Sequence, residues 1–152
     1  MKTELRLAEA QDLGELQPLV RAYHEFENIP SSATERESAL RQLLSDRTLG
    51  GIWLIFSDGA LAGYIALCRG FSIEFNGFDA FIDEFYLQPA FRRQGIGSQV
   101  LVAIKQQARQ MEINALHLEV ARNNHRARKL YAAAGFEARD RYLLMSAELE
   151  EQ

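Results

Sequence analysis

Hydrophobic and polar positions along the chain follow two periods, and the changes between them divide the chain into predicted strands and helices. Thr3 to Ala8 alternates apolar and charged residues, as a half-buried strand does. Ser31 or Ser32 is placed to cap a second helix that runs to about Asp46. Between these segments, apolar residues recur every three or four positions and predict a first helix: Leu13, Leu16, Leu19, Val20 and Tyr23.

Strand-like runs fill the middle of the chain. Ile52 to Phe56 and Leu61 to Cys68 flank an Asp-Gly pair at Asp58, which is typical of a tight turn between antiparallel strands. Phe78 to Leu87 predicts a further strand. This strand ends before Pro89, because proline has no backbone N–H to donate to a sheet.

The second half returns to helical spacing before it alternates again. Ala115 to Val120 predicts a short strand, Asn124 to Ala134 predicts a helix that Gly135 ends, and Tyr142 to Leu149 predicts a final strand. The predicted order is β-α-α-β-β-β-α-β-α-β(-β). A strand-helix-strand unit implies a parallel pair and a hairpin implies an antiparallel pair, so we expect a mixed sheet and the α/β (α+β) class. The helix that precedes Ala115 has one apolar face: Ile96, Val100, Ile104, Ala108 and Met111.

Composition fits one domain. The chain has 152 residues, 47% of them hydrophobic, and no linker or repeat divides it, so we expect one core over residues 1–152. The lone Cys68 cannot form an internal disulfide, which favours a reducing compartment. No apolar run approaches the ~20 residues of a membrane span. We therefore expect a cytoplasmic protein without a membrane partner, and the early charges also argue against a signal peptide: Lys2, Glu4, Arg6 and Glu9.

Charge is unevenly distributed along the chain. The net charge of −4 argues against nucleic acid as a partner, because phosphate binding needs a surplus of Lys and Arg over a whole face. Basic residues nevertheless cluster at Arg92 and Arg93 and again within residues 121–131. This asymmetry suits an anionic cofactor at one half and a cationic substrate at the other, with an ordinary solvated surface as the alternative. The first third is acidic: Glu9, Asp12, Glu15, Glu25 and Glu27.

The segment Arg92-Arg93-Gln94-Gly95-Ile96-Gly97 lies between a predicted strand and the first turn of a predicted helix. Backbone N–H groups at a helix start lack helical partners, and glycine lets an anion approach them, so the segment favours phosphate binding. Tight turning and close helix packing are the alternative roles of the two glycines. The segment lacks the Gly-Lys-Ser/Thr of a Walker A loop and the third glycine of the dinucleotide fingerprint.

A second motif runs from Asn123 to Phe136. Asn124 is placed to cap its helix, and the helical spacing turns Tyr131 inward. A buried phenol needs a hydrogen-bond partner, so a core tyrosine bonded to a backbone carbonyl is one interpretation and a functional phenol is the other. The three histidines, His24, His117 and His125, share no metal-ligand spacing, and we expect no metal.

Together these two segments resemble motifs A and B of the GCN5-related N-acetyltransferase (GNAT) superfamily. Motif A corresponds to Arg92-x-x-Gly95-x-Gly97, and motif B to Asn124-x-x-Ala127-x-x-Leu130-Tyr131-x-x-x-Gly135-Phe136. The resemblance covers about Phe78 to Phe136 closely and the rest through element order. It implies a GNAT-type mixed, mostly antiparallel sheet of six to seven strands flanked by about four helices. It also implies acetyl-CoA as the co-substrate and leaves the acceptor amine open.

The resemblance further implies roles for individual residues. Main-chain groups of Phe85, Tyr86 and Leu87 would pair with the pantetheine arm and polarise the acetyl carbonyl, and Asn124 would contact the pantetheine or the pyrophosphate region. Tyr131 would approach the sulfur, where a phenol of pKa ~10 can protonate a thiolate of pKa ~8.5. Backbone amides would hold the pyrophosphate at Arg92, Arg93, Gln94, Gly95, Ile96, Gly97 and Ser98.

Asp83 and Glu84 are the candidate bases for the amine proton. Alternation along the strand sends them to opposite faces, so both cannot line one pocket directly. In similar acetyltransferases such a residue sits two or four positions before the one matching Phe85, which points to Asp83 ahead of Glu84, with bulk water as a third option. The segment Tyr23 to Glu27 adds an aromatic and acidic mix that suits a cationic acceptor, and its candidate substrate-binding residues are Tyr23, Glu25 and Glu27.

The sequence therefore predicts an acetyl-CoA-dependent N-acetyltransferase. A primary amine of a small molecule or peptide would attack the acetyl group directly within a ternary complex. A non-catalytic acyl-CoA-binding sensor or regulatory module is the alternative, and a nucleic-acid-binding protein is a distant third. The oligomeric state is left open, with a homodimer among the options.

Overall fold

A computed structural model describes residues 2–149 of the chain. Within them, the strands are β1 (Thr3–Leu7), β2 (Gly50–Ser57), β3 (Ala60–Ser72), β4 (Gly77–Leu87) and β5 (Ile113–His117). The α-helices are α1 (Leu13–Phe26), α2 (Ala33–Ser45), α3 (Ile96–Gln110) and α4 (His125–Ala133). The predicted element order is confirmed as far as α4. None of the described helices is long and apolar enough to cross a membrane.

The strands form one sheet in the order β1-β2-β3-β4-β5. β1 to β4 are antiparallel neighbours, whereas β5 runs parallel to β4 after the α3 crossover. Asp58 and Gly59 turn β2 into β3 with φ values of +48° and +83°, the left-handed conformation that tight hairpins need. The mixed, mostly antiparallel sheet predicted from the sequence is therefore confirmed.

Helices cover both faces of the sheet. On one face, Val100 and Ile104 of α3 are completely buried and pack with Ile65 of β3. On the other face, Leu16 of α1 packs with Tyr64, and both side chains are buried. Burying an aliphatic side chain of this size contributes about 1.5–3 kcal/mol. The two layers hold the central strands β3 and β4 in fixed positions, and β4 contributes to the site.

Local signals in the sequence set the ends of two helices near the site. Ser32 caps α2, since its Oγ accepts a hydrogen bond from the N–H of Glu35 at 3.1 Å while the Glu35 side chain accepts one from the N–H of Ser32 at 2.8 Å. After α4, Gly135 has a φ of +94°, which is the left-handed conformation typical of the residue after a helix end.

The predicted final strand, Tyr142 to Leu149, is not formed, and this part of the sequence prediction is wrong. Leu143 and Met145 are 77% and 88% exposed, and no residue of the segment pairs with a strand. Its four consecutive apolar residues suit a strand covered on both faces, and no second layer covers this edge in the described residues. The sheet therefore has five strands over residues 2–149 instead of six to seven, although the fold class agrees.

The candidate active-site cleft

β4 and β5 separate partway along their length. β5 pairs with β4 only from Phe78 to Phe81 of β4, and the two strands then diverge. Residues 81–83 and 85–87 of β4 and residues 118–121 after β5 line a cleft of about 1100 Å³. The start of α3, one side of α4 and the end of α1 complete its walls. A parallel pair that opens in this way leaves backbone groups of β4 available to a ligand.

The N-terminus of α3 opens into this cleft. Gly95 is the N-cap residue, with a φ of +82°, and a Cβ built there would meet no atom within 4 Å. Over residues 2–149, the backbone N–H groups from Arg93 to Ser98 have no hydrogen-bond acceptor. Free N–H groups at a helix start carry the partial positive charge of the helix dipole, so this turn is suited to an anion.

The Arg92 side chain is fixed beside this turn. Its Nε donates a hydrogen bond to the carbonyl oxygen of Leu87 at 2.8 Å. Its guanidinium lies over the rings of Phe26 and Tyr86, 5.2 and 5.4 Å from their centroids. These contacts hold one positive charge against the cleft wall, and Arg93 and Arg126 line the same cleft. Of the basic cluster predicted within residues 121–131, Arg126 therefore joins Arg92 and Arg93 at this cleft, whereas Arg122, Arg128 and Lys129 do not line it.

The other residues of the glycine-rich turn have different surroundings. A Cβ on Gly97 would come within 3.2 Å of Leu130, so this glycine allows α3 and α4 to pack closely. Ile96 is buried in the core, and the Gln94 side chain donates to the carbonyl oxygen of Ala90 at 2.7 Å, and neither residue is part of the cleft lining. Gly97 and Ser98 line the cleft.

At α4, the cleft is lined by Asn124, which precedes the helix, and by Tyr131 within it. Asn124 caps the helix, because its Oδ1 accepts a hydrogen bond from the N–H of Ala127 at 3.1 Å. The Tyr131 ring is half-buried and meets Phe136 edge to face at 5.9 Å. Its hydroxyl has no hydrogen-bond partner among residues 2–149, in contrast to a core tyrosine bonded to a carbonyl. Burial, and then the charge of Glu27, raises the pKa of Tyr131, which keeps the phenol protonated at neutral pH.

Asp83 and Glu84 have separate environments. The pairing of β3 with β4 shifts at this point: Ala66 pairs with Glu84 and Leu67 with Ile82, which leaves Asp83 as the extra residue of a β-bulge. Asp83 is exposed and lines the cleft. Glu84 does not line it, and its carboxylate accepts a hydrogen bond from the Tyr64 hydroxyl at 2.7 Å. Alternation predicted that the two acids face opposite sides of the strand and cannot both line one pocket. Only Asp83 lines the cleft, but the bulge interrupts the alternation on which that prediction was based.

The end of α1 forms the acidic and aromatic end of the cleft. Tyr23 and Glu27 both line it. Burial raises the pKa of Tyr23, and Glu27 and Glu84 raise it further, so this phenol also stays protonated. Glu25 is not part of the lining: it forms an exposed ion pair with Arg21 at 3.0 Å, one turn back on the helix. Of the three predicted substrate-binding residues, the structure therefore brings Tyr23 and Glu27 together with Asp83.

His24 lies in this region, and no sequence pattern assigns it an individual role. Its Nε2 lies 2.6 Å from Oε2 of Glu84, and both side chains are largely buried. The two residues are sixty positions apart, so no local pattern could reveal the contact. His117 forms a similar pair with Asp79 at 3.1 Å. No group of three or more possible metal ligands occurs among residues 2–149.

Comparison with known proteins decides the family. A sequence model described as "Acetyltransferase (GNAT) family" matches residues 16–136 of this chain. The chain belongs to the GNAT acetyltransferase family. The matched range includes the β4 edge, the glycine-rich start of α3 and Tyr131. The family resemblance carried by motifs A and B is therefore confirmed.

Individual relatives agree with this assignment. Over 71 residues this GNAT acetyltransferase is 42% identical to YycN, an uncharacterised N-acetyltransferase of Bacillus subtilis (strain 168). The aligned region covers 47% of this chain and 44% of YycN. Over 133 residues it is 27% identical to a second uncharacterised N-acetyltransferase of that strain, YhfO, covering 88% and 89% of the two chains.

A solved structure shares the fold. A protein of Clostridium acetobutylicum described as a predicted acetyltransferase, solved with acetyl-CoA, superposes with a TM-score of 0.76 at 19% identity. The superposition covers 95% of this chain and 96% of that one. At this identity the likeness shows the fold alone.

Proposed function

We propose that this protein transfers the acetyl group of acetyl-CoA to a primary amine of a small molecule or peptide, by direct attack within a ternary complex. The observation that carries the proposal is the row of free N–H groups at the start of α3, which opens into the same cleft as Asp83 and Tyr131. An anion-binding turn and two proton-transfer groups in one cleft match the needs of acyl transfer from a phosphorylated carrier.

The basic end of the cleft fits the co-substrate. Backbone N–H groups from Arg93 to Ser98 would bind the pyrophosphate, and the open space at Gly95 would let its oxygens reach them. Arg92 and Arg93 supply positive charge at the same place. Among the described residues, no strand pairs with the β4 edge at Phe85 to Leu87 on the β5 side. This edge would pair with the amide groups of the pantetheine arm, and Asn124 lines the same cleft.

The acidic end of the cleft fits the acceptor. Glu27 and Asp83 line it together with the ring of Tyr23. Carboxylates attract an ammonium group, and an aromatic face adds a cation–π attraction of about 0.5–2 kcal/mol. Because basic and acidic side chains line the same cleft, it would accommodate an anionic carrier and a cationic acceptor together.

The named residues can perform the proton transfers. The acceptor must lose a proton before its nitrogen attacks, and Asp83 would take that proton, directly or through a water molecule. A free N–H of β4 would stabilise the negative charge that develops on the carbonyl oxygen. As the carbon–nitrogen bond forms and the carbon–sulfur bond breaks, the Tyr131 hydroxyl would donate its proton to the sulfur. The nitrogen would lose its second proton to solvent as the amide forms. Solvent would then take the proton from Asp83 and return one to Tyr131, so that one proton is released in each turnover.

One experiment tests the proposal. The protein is incubated with acetyl-CoA and a panel of amines: spermidine, tyramine, lysine methyl ester and an alanine-terminated peptide. Free thiol and acetylated product are both measured. We expect thiol release that requires one of the amines and matches the product in amount. Acetyl-CoA binding without amine-dependent thiol release would favour the sensor alternative, and no acetyl-CoA binding would contradict the proposal as a whole.

A further inference from the structure

We propose that His24 and Tyr64 are positioning residues, which hold Glu84 on the α1 side of the sheet and thereby fix the β-bulge that turns Asp83 into the cleft. The inference rests on the proposed function, because it concerns how the acceptor end of that cleft is built. On this inference, Glu84 stabilises the local structure through its hydrogen bonds and does not act as the base.

The hydrogen bonds around Glu84 occupy both of its carboxylate oxygens. The Tyr64 hydroxyl donates to Oε1 at 2.7 Å, and Nε2 of His24 lies 2.6 Å from Oε2. An ionised carboxylate only accepts hydrogen bonds, so this contact requires that Nε2 of His24 carries a proton when Glu84 is ionised. Charge-assisted bonds of this length are about twice as strong as neutral ones. Glu84 is thus anchored to β3 and to α1 at once.

A second set of contacts fixes His24 itself. Its Nδ1 lies 2.8 Å from Oγ of Ser31, in the segment between α1 and α2. Arg36 of α2 donates to Oγ and to the carbonyl oxygen of Ser31 at 3.1 and 2.8 Å. The imidazole is therefore held at both nitrogens. This chain of contacts joins α2, the α1–α2 connection, α1, β4 and β3.

The β4 register explains why this anchoring matters for Asp83. Ile82 packs in the core beneath α3, and strict alternation would send Glu84 into the same apolar core. The bulge at Asp83 adds one residue, so that Phe85 returns to that core and Glu84 faces α1. Without its partners on α1 and β3, Glu84 would lose the contacts that favour this register. The same bulge is what places Asp83 at the cleft.

The single cysteine of the chain reports on the position of Asp83. Burial raises the pKa of the Cys68 thiol to about 11, and the nearby Asp83 and Glu84 carboxylates contribute. Below that pKa, the rate of alkylation by iodoacetamide follows the thiolate fraction, which rises tenfold for each unit by which the pKa falls. Movement of Asp83 away from Cys68 would therefore speed alkylation at pH 8.5.

The experiment compares His24→Phe, which removes the donor to Glu84, with His24→Gln, which retains an N–H donor. Asp83→Asn calibrates the effect of losing the Asp83 charge. Ser32→Ala is the control for general loosening, because it removes the α2 cap, at a cost of about 1 kcal/mol, without touching Glu84. We expect faster Cys68 alkylation in Asp83→Asn and His24→Phe, and rates near that of the wild type in His24→Gln and Ser32→Ala. A wild-type rate in His24→Phe would overturn the inference.

Kinetics supply the second readout, with the panel amine that gives the highest turnover. For His24→Phe and Tyr64→Phe we expect kcat/KM for the amine to fall about tenfold or more, because a misplaced catalytic group is costly, while the Kd of acetyl-CoA changes less than about twofold. His24→Gln should restore most of the activity. Equal losses in amine turnover and in acetyl-CoA affinity would mean general damage and would overturn the inference. If the wild type acetylates no amine, the proposed function fails, and the alkylation rates still decide whether His24 holds the bulge.

Discussion

Asp83 and Glu84 are consecutive residues of β4, yet only Asp83 lines the cleft, whereas Glu84 is bound to His24 and Tyr64. A β-bulge separates them, because Glu84 pairs with Ala66 of β3 and Asp83 is the extra residue of the bulge. A carboxylate that is exposed in the cleft can exchange a proton with a substrate. One whose oxygens are both engaged as acceptors is suited to holding its neighbours in place.

Exchange of the two acids for their amides separates these roles. Asp83→Asn should lower acetyl transfer by about 10²–10⁴-fold, the usual contribution of a general base, and should move the pH optimum upward because the amine must then lose its proton to solvent. Acetyl-CoA binding should persist. A pH–rate profile for each variant is the measurement. If Glu84→Gln shows the upward shift and Asp83→Asn does not, the assignment of Asp83 as the base is reversed.

Tyr131→Phe removes a hydroxyl that has no partner among the described residues. We expect turnover to fall by about 10²–10⁴-fold if this hydroxyl protonates the leaving sulfur. Stability should change by less than about 1 kcal/mol, because no hydrogen bond is lost. Urea unfolding and single-turnover rates on the same preparation check both values. A variant that is destabilised but fully active would make Tyr131 a packing residue only.

Alkaline pH should destabilise the protein through Tyr64. Burial and the charge of Glu84 raise the pKa of this phenol in the folded state, whereas it ionises near pH 10 in the unfolded chain. The folded state then keeps a proton that the unfolded state loses, so the free energy of unfolding falls as pH rises above about 10, by up to about 1.4 kcal/mol per pH unit per such tyrosine. Below about pH 9 this contribution is constant.

Urea unfolding at intervals from pH 8 to pH 11 measures this dependence. Tyr23 and Tyr131 also have raised pKa values, so the wild-type slope contains their contributions. The free energy of unfolding of Tyr64→Phe should fall less steeply with pH than that of the wild type, and the difference should equal the contribution of one tyrosine. An identical slope in both proteins would show that Tyr64 ionises as easily in the folded state as in the unfolded chain.

The sequence revealed the glycine-rich turn of the cleft more directly than the part formed by α1. Glycines, arginines and a helix start are consecutive in the chain, so motif A reveals its anion-binding turn directly. The His24–Glu84 pair joins residues that only the packing of α1 on the sheet brings together. Glu25 illustrates the same limit, because helix periodicity decides which residues of one turn face the cleft, and its side chain turns toward Arg21.

The sequence did not reveal features of the strands that depend on pairing with neighbouring segments in the fold. Tyr142 to Leu149 has the apolar content of a strand, but a strand also needs a partner edge and a covering layer, and neither is visible in the segment itself. The bulge at Asp83 was likewise hidden, because an extra residue in one strand is defined only by its pairing with another.

The central claim is that acetyl-CoA binds at the start of α3, and a matched pair of glycine variants tests it. Gly95 and Gly59 have φ values of +82° and +83°, and at neither would a Cβ meet an atom within 4 Å. Exchange for glutamate should therefore cost both variants the same backbone strain, about 1–2 kcal/mol. Only Gly95→Glu places a side chain and a negative charge in the anion-binding turn.

The measurement is the stabilisation of each protein by acetyl-CoA at 100 times the wild-type Kd, read from thermal unfolding with and without the ligand. We expect about 2.7 kcal/mol for the wild type, the same for Gly59→Glu, and almost none for Gly95→Glu. Stabilisation of Gly95→Glu equal to that of Gly59→Glu would contradict the placement of acetyl-CoA at the start of α3.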